Sequence, residues 1–390
     1  MKGVSHMTGS VQRKNNRYHM VISYKDNFGE QKQKWISTGL TIKGNKKAAD
    51  AMLDKWLKEH AGCDMNAIDQ LLSDYLESWM DKAKHHLQPS TVRGYRGMLK
   101  NHILPYFKSK KLKLADLHVR HLEDFYAYLQ SDDKALSPTS VRHCHRLISC
   151  ALNDAVRLQF IPVNPASLAR LPKQQKYEAK FLNYSQLKEL VLLFKGNVLQ
   201  PVIKLICVYG LRREEALGLC WDMVDFENNR FTICRSKLQG DHGDYLKDST
   251  KNASSYRTLP LTPSMRDVLL ALKARREEYA PLFPETYANN NLVFVWDDGT
   301  PITSNYVTKT FHKVIEASHL PTIRLHDLRH SSASNLLSQG STVVEVQHWL
   351  GHSQPSTTLN FYSHVDALAK QRISEHIENA LVFEDDEEIF

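Results

Sequence analysis

The stretch Tyr209-Gly210-Leu211-Arg212-Arg213-Glu214-Glu215-Ala216-Leu217 lies in the second half of the 390-residue chain and decides how the fold is interpreted. It places two arginines and two glutamates directly after a Gly-Leu turn. Taken alone, an arginine in this setting is most often a partner in a surface ion pair, which contributes little. The stretch becomes informative only together with the polar segments that follow it.

Three further segments come after this stretch, in a fixed order. They are Thr250-Lys251 shortly before Arg257-Thr258-Leu259-Pro260-Leu261, then Leu325-His326-Asp327-Leu328-Arg329-His330, then Leu350-Gly351-His352 with Tyr362 ten residues later. His326 and Arg329 are three residues apart and would share one face of a helix. Each segment could occur by chance, so it is the ordered set that carries the interpretation.

The ordered set has one economical chemical interpretation, which is phosphodiester transfer. Two arginines and one or two histidines can bind the non-bridging oxygens, where charge builds as phosphorus becomes five-coordinate. A tyrosine can attack as a covalent nucleophile, and a lysine can protonate the leaving oxygen. We expect neither a metal nor a cofactor, because no cluster of histidine, cysteine and acidic residues has the spacing of metal ligands.

This pattern of Gly-Leu-Arg-x-x-Glu, Lys before Arg-Thr-x-Pro-Leu, His-x-x-Arg, Leu-Gly-His and Tyr resembles the catalytic signature of the tyrosine recombinase (phage integrase) family. The resemblance implies an enzyme that cleaves and rejoins DNA through a 3′-phosphotyrosine to integrate and excise a mobile element. It also implies a role for each matching residue: Arg212 and Arg329 bind the phosphate, His326 contacts it or helps to deprotonate the nucleophile, His352 fills the family's His or Trp position, Tyr362 is the nucleophile, Lys251 is the general acid, and Glu215 braces an arginine. Lys247 remains the alternative general acid.

The sequence predicts a multidomain, mainly α chain with three folded parts. Alternating residues around Tyr18–Tyr24 and helical spacing in 46–60 predict a small β-sheet-plus-helix module, and apolar stripes predict an all-α domain. Ser90 or Thr91 is expected to cap one of its helices. These folded domains are 1–62 (three-stranded sheet plus helix), 67–170 (helical) and 181–365 (α+β), with a proline-containing linker at 171–180 and a C-terminal helix and acidic tail at 366–390. The resemblance implies that they are, in that order, an arm-type DNA-binding module, a SAM-like core-binding domain and the catalytic domain, and that 366–390 docks on a neighbouring protomer. Residues 1–7 could be partly derived from an expression tag.

Positive charge is concentrated at the front of the chain. The formal net charge is +8, yet residues 1–62 and 67–176 each carry an excess of seven positive charges, whereas 177–390 carry a deficit of five. This asymmetry indicates that the front half contacts nucleic acid. The candidate DNA-contacting residues on the helical domain are Arg93, Arg96, Lys100, Arg142, His145 and Arg146. An ordinary solvated helix face is the alternative interpretation for them.

Partners and location follow from the resemblance and the composition. The resemblance implies double-stranded DNA with core and arm attachment sites, a homotetramer formed through residues 366–390, and an excisionase or DNA-bending host factor as further partners. No apolar run reaches the roughly 18–20 residues of a membrane span, so we expect a soluble, intracellular protein. The resemblance implies a location in the bacterial cytoplasm, with association to the nucleoid when the protein is bound to DNA. Two other functions remain open, namely a DNA-relaxing enzyme similar to type IB topoisomerases and a catalytically inactive DNA-binding regulator.

Overall fold

The computed structural model describes residues 7–25, 30–60, 69–174, 180–240, 243–248 and 256–351. The chain divides into two compact units, Met1–Lys176 and Tyr177–Phe390, and the division falls inside the predicted linker. The predicted layout, a multidomain and mainly α chain with a small N-terminal sheet, is confirmed. The finer domain boundaries remain predictions, since the junction between the first two predicted domains lies outside the described residues.

The first unit begins with an antiparallel three-stranded sheet and one helix. Their bounds are β1 Thr8–Lys14, β2 Arg17–Lys25, β3 Gln31–Thr41 and α1 Lys46–Glu59. Asn15 and Asn16 both have positive φ, of 50° and 57°, as the tight turn between β1 and β2 requires. Met20 and Ile22 on β2 pack against Leu53 of α1. The alternation of apolar residues on β2 therefore sets which face of the sheet the helix covers.

In the described residues 69–174, the helical part of the first unit has five α-helices around one core. They are α2 Leu72–Ala83, α3 Pro89–Met98, α4 Leu104–Lys110, α5 Val119–Gln130 and α6 Pro138–Arg157, with a π-helical turn at Leu99–Ile103 between α3 and α4. Leu76, Phe125 and Leu147 are fully buried in this core. The prediction that Ser90 or Thr91 caps α3 is wrong, because the helix begins one residue earlier, at a proline whose φ is already helical.

The second unit is α+β and surrounds a larger core. Its elements are α7 Tyr184–Leu193, α8 Gln200–Tyr209, α9 Arg213–Leu217, β4 Val224–Asp225, β5 Arg230–Ile233, β6 Arg235–Gly240, β7 Gly243–Asp248, β8 Arg257–Pro260, α10 Pro263–Tyr279, α11 Pro284–Ala288, α12 Ser304–Glu316, α13 Asp327–Ser338 and α14 Val343–Leu350. Strands β4, β5 and β8 form one antiparallel sheet in that order, and β6 pairs with β7. Helix α13 lies deepest, with nine of its residues buried. Among the described residues, no helix has the length and apolarity needed to cross a membrane.

Candidate active site

The turn between α8 and α9 directs Arg212 out of the core. Gly210 ends α8 with φ of +64°, and a Cβ there would lie 2.5 Å from Leu350 Cδ2, so only glycine fits. Leu211 is buried, and Arg212 follows in an extended conformation as the residue before α9. Its side chain is 34% exposed. The Gly-Leu-Arg spacing therefore produces an arginine that is anchored at its backbone and whose side chain is partly exposed.

Glu215 holds Arg212 at both ends. The Arg212 backbone N–H donates to Glu215 Oε2 at 3.0 Å, and Arg212 Nη1 donates to Oε1 at 2.6 Å. The carboxylate also accepts from Arg257 Nη2 at 2.8 Å and lies 3.8 Å from Arg329 Nη1. Burial alone would raise the pKa of Glu215, but the charges of Arg257, Arg212 and Arg329 lower it to about 2. Glu215 is thus ionised and connects three arginines.

Arg329 lies in the first turn of α13 and is almost completely buried. Its Nη1 donates to Gly210 O at 2.8 Å and its Nη2 to Leu350 O at 2.7 Å. Burial and repulsion from Arg212 lower the pKa of Arg329 to about 9, which leaves the guanidinium charged at pH 7. One buried cation therefore joins the end of α8 to the end of α14.

His326 stands at the start of α13 beside these arginines. Its ring packs edge-on against His330, with ring centroids 5.0 Å apart. Desolvation, followed by repulsion from Arg329, lowers the pKa of His326, and burial lowers the pKa of His330 to about 4. Both imidazoles are therefore neutral at pH 7, and a neutral His326 can accept a proton.

Helix α14 ends against the same cluster. Trp349 O accepts a hydrogen bond from Arg257 Nε at 3.0 Å, and Leu350 O accepts from Arg329. Cations at the carboxyl end of a helix are stabilised by its unpaired carbonyl groups. Gly351 closes the helix with φ of +68°, and His352 is the next residue in the sequence. The carbonyl groups of the last turn of α14 therefore bind two arginines of the cluster, and His352, whose catalytic role is predicted, is two positions further along the sequence.

Three of the predicted catalytic residues lie outside the described residues, namely Lys251, His352 and Tyr362. The predicted docking segment 366–390 lies outside them as well. Lys247 is described, on β7 opposite Ser236. The choice of Lys251 over Lys247 as general acid therefore stays a prediction.

The two adjacent arginines of the first segment point to different surroundings. Arg213 Nη1 donates to Thr308 Oγ1 on α12 at 2.6 Å, and its Nη2 pairs with Glu214. Arg212 instead joins the cluster around Glu215. The structure thus brings Arg212, Glu215, His326 and Arg329 together, and it assigns Arg213 to the attachment of α9 to α12.

Arg257 is the member of this cluster to which the sequence alone assigns no role. Its side chain is 7% exposed and binds both Glu215 and Trp349 O. The signal that could have indicated this is the alternation in β8, where Arg257 and Leu259 are buried while Thr258 and Pro260 are exposed. A charged residue on the buried face of a strand requires an internal partner.

The cluster is suited to an anion that gains charge during a reaction. Three guanidinium groups face one carboxylate, which leaves an excess of two positive charges. Such preorganised cations stabilise the charge that develops on phosphate oxygens in a transition state. Within the described parts of the chain, no group of three or more histidine, cysteine or acidic residues could hold a metal ion.

The candidate DNA-contacting residues of the helical part fall into two groups. Arg93, Arg96 and Lys100 are exposed along α3 and the π-helical turn, and Arg146 is exposed on α6. The other two make internal hydrogen bonds, Arg142 Nε to Pro172 O at 3.1 Å and His145 Nδ1 with Tyr126 Oη at 2.7 Å. These contacts favour an internal role for Arg142 and His145.

Comparison with known proteins places this geometry in a family. Residues 180–368 match the model of the phage integrase family, and residues 71–130 match the phage integrase N-terminal SAM-like domain. The chain is 25% identical over 342 residues to the XerC-like tyrosine recombinase of Caldanaerobacter subterraneus subsp. tengcongensis, covering 82% of this chain and 86% of that protein. It is 30% identical over 229 residues to tyrosine recombinase XerC of Bacillus pumilus, covering 57% of this chain and 69% of that protein.

A solved structure shares the fold. The Tn1549 transposon integrase in complex with transposon right end DNA superposes with a TM-score of 0.63 at 20% identity, covering 77% of this chain and 98% of that chain. The catalytic family model spans the whole region that carries the arginine cluster, and the SAM-like model lies within the helical part of the first unit. The chain therefore belongs to the phage integrase family of tyrosine recombinases.

Proposed function

We propose that this tyrosine recombinase is a site-specific DNA recombinase that integrates and excises a mobile element through a 3′-phosphotyrosine on Tyr362. The observation that carries the proposal is the cluster in which Arg212 and Arg329, 117 positions apart in the sequence, share the carboxylate of Glu215 beside His326. Two cations that are held at one point can bind the oxygens of a single phosphate. The sequence supplies a tyrosine twelve residues after α14 ends.

The proposed reaction proceeds by two transfers at one phosphorus. The Tyr362 oxygen attacks the scissile phosphate while the bond from phosphorus to the 5′-oxygen breaks, and the tyrosine proton passes to neutral His326. Lys251 donates a proton to the leaving 5′-oxygen. Arg212 and Arg329 stabilise the charge on the non-bridging oxygens. The 5′-hydroxyl of a partner strand then attacks the phosphotyrosine and gives its proton to Lys251, while the bond from phosphorus to the Tyr362 oxygen breaks and His326 returns a proton to that oxygen. A phosphodiester is therefore restored without hydrolysis.

The proposed reaction indicates which molecules the protein must bind. Its substrate is double-stranded DNA, with core and arm attachment sites, and exchange between two duplexes breaks four strands. Because each protomer supplies one Tyr362, we propose a homotetramer on DNA, held together through residues 366–390. An excisionase or a DNA-bending host factor is proposed to set the direction of the reaction. The protein is proposed to act in the bacterial cytoplasm, on the nucleoid.

Covalent trapping tests this function directly. A duplex that carries the attachment site beside the gene, nicked close to the cleavage position, releases a short fragment after cleavage and prevents religation. We expect the full-length protein to form an SDS-resistant adduct with this nicked duplex. We also expect it to recombine two intact copies of the attachment site on a plasmid. Adducts with plasmid relaxation but without recombination would indicate the topoisomerase-like alternative. DNA binding without adducts would indicate an inactive regulator.

The exposed residues of α3 and the π-helical turn are proposed to bind the DNA backbone. Replacing Arg93 or Lys100 with glutamine should weaken binding and reduce the slope of log K against log salt by about 1 for each phosphate that is no longer neutralised. Arg142→Gln is the matched control, because its guanidinium already binds Pro172 O. We expect that variant to lose stability while keeping the wild-type salt slope, as measured by fluorescence anisotropy. A slope changed only in the Arg142 variant would move the DNA-binding face to α6.

A further inference from the structure

Arg257 occupies a buried position where an arginine is not needed to build the strand. It is the first residue of β8 and pairs in register with Ile233 of β5, and its side chain lies on the same face as Leu259. An apolar side chain at this position would complete the sheet without the cost of desolvating a charge. The reason for an arginine must therefore lie in what the guanidinium contacts.

The guanidinium uses all three of its nitrogen atoms on two partners. Nη2 and Nη1 donate to Glu215 Oε2 and Oε1 at 2.8 and 3.4 Å, and Nε donates to Trp349 O at 3.0 Å. This is the two-pronged geometry by which arginine binds a carboxylate, with the third donor turned toward the end of a helix. A lysine could reach only one of these acceptors at a time.

Each partner of Arg257 also holds one of the phosphate-binding arginines. Glu215 binds Arg212, and the last turn of α14, which provides Trp349 O, also provides Leu350 O for Arg329. Arg257 therefore connects the two halves of the cation pair without being exposed itself. In the sequence it stands six residues after Lys251, and α14 ends two residues before His352.

We infer that Arg257 is a positioning residue for strand cleavage, which orients Arg212 through Glu215 and fixes the end of α14 that leads to His352. This inference rests on the proposed function. It assigns no contact between Arg257 and DNA, because both Nη atoms of Arg257 bind the Glu215 carboxylate and Nε binds Trp349 O. Substitution of Arg257 should therefore affect the rate of cleavage and leave the affinity for DNA unchanged.

The test compares Arg257→Lys, which keeps the charge, and Arg257→Met, which keeps much of the volume, with Arg275→Lys as the matched control. Arg275 also forms a two-pronged pair with a carboxylate, Asp297, through its Nε and Nη2, but this pair is exposed and is not part of the cluster. In single-turnover cleavage of the nicked duplex we expect both Arg257 variants to be slower by about 10²-fold, the effect of a misplacement of roughly 1 Å. DNA affinity should stay within about twofold of the wild type in all three variants.

A second substrate separates positioning of the cations from a general loss of structure. In it, a methyl group replaces one non-bridging oxygen of the scissile phosphate, so that the group is neutral and depends less on fixed cations. On this duplex the defect of the Arg257 variants should shrink to below about tenfold. The inference would be overturned if the Arg257 variants showed an equal defect on both substrates, or if they cleaved the ordinary nicked duplex at the wild-type rate. It would also be overturned if the Arg257→Lys protein were unfolded at the assay temperature.

Failure of the proposed recombinase function can be distinguished from failure of the positioning role of Arg257. If the wild-type protein forms no adduct, the proposed function fails and the role of Arg257 falls with it. If the wild-type protein forms adducts and the Arg257 variants form them equally fast, the recombinase function stands and only the positioning role is refuted.

Discussion

Tyr362→Phe is expected to abolish covalent adducts with the nicked duplex while DNA binding persists. Phenylalanine keeps the ring but lacks the hydroxyl that attacks phosphorus, so neither the adduct nor any later strand transfer can form. Removing a covalent nucleophile costs on the order of 10⁶-fold in rate, which places the variant below detection. The measurement is the SDS-resistant band in a gel, with a mobility shift on an intact duplex to show that binding is retained.

The matched control for this variant is Tyr306→Phe, the same chemical change at the next tyrosine upstream. Tyr306 lies on α12 and packs against Trp296, with ring centroids 5.0 Å apart. It should therefore give adducts at the wild-type level. If Tyr362→Phe still formed adducts, Tyr362 would not be the nucleophile, and the assignment made from the order of the motifs would be wrong.

Glu215→Gln is expected to destabilise the second unit by about 3–5 kcal/mol, the usual cost of removing one partner from a buried ion pair. The substitution keeps the shape of the side chain but removes the negative charge shared by Arg212, Arg257 and Arg329. Those guanidinium groups would then repel one another in a poorly hydrated site. Urea unfolding at pH 7 measures the loss of stability, and single-turnover cleavage should fall with it because Arg212 loses its support.

The pH dependence provides a separate check on Glu215. Its pKa is lowered from 4.5 to about 2 in the folded protein, so the stabilisation is fully present above about pH 4.5 and is lost as the pH falls toward 2. The difference in unfolding free energy between wild type and Glu215→Gln should therefore shrink between pH 5 and pH 3. Glu214→Gln is the control, since its partly exposed pair with Arg213 contributes about 0–1 kcal/mol. Equal effects of the two substitutions would contradict the cluster.

Much of the fold could be predicted because the relevant signals are local. Alternating residues on β2 and helical spacing over 46–60 led to the sheet and to α1, and both are observed. The start of α3 was missed, because a serine or threonine can cap a helix but a preceding proline also begins one well. The π-helical turn at Leu99–Ile103 was missed too, since an extra residue in a helix leaves no mark in a short apolar stripe.

The residues of the candidate site likewise fall into those that local motifs identify and those whose roles depend on contacts distant in the sequence. Arg212, Glu215, His326 and Arg329 could be named from short motifs, and the structure brings these four together. Arg142 and His145 could not be separated from Arg93 by charge, because their internal hydrogen-bond partners, Pro172 O and Tyr126 Oη, lie 30 and 19 positions away in the sequence. The roles of Lys251, His352 and Tyr362 stay predictions.

The sequence by itself determined the family and predicted the order of the reactive groups and the residues that carry them, because each motif is short and is set by residue type and spacing. Only the tertiary structure decided how those groups are held. Arg257 meets Glu215 across 42 positions and Trp349 across 92, and Arg329 meets Gly210 across 119. Contacts at such separations depend on how helices and strands pack together. The role of a buried charged side chain can be assigned only when the partners that neutralise it are known, and here those partners are distant in the sequence.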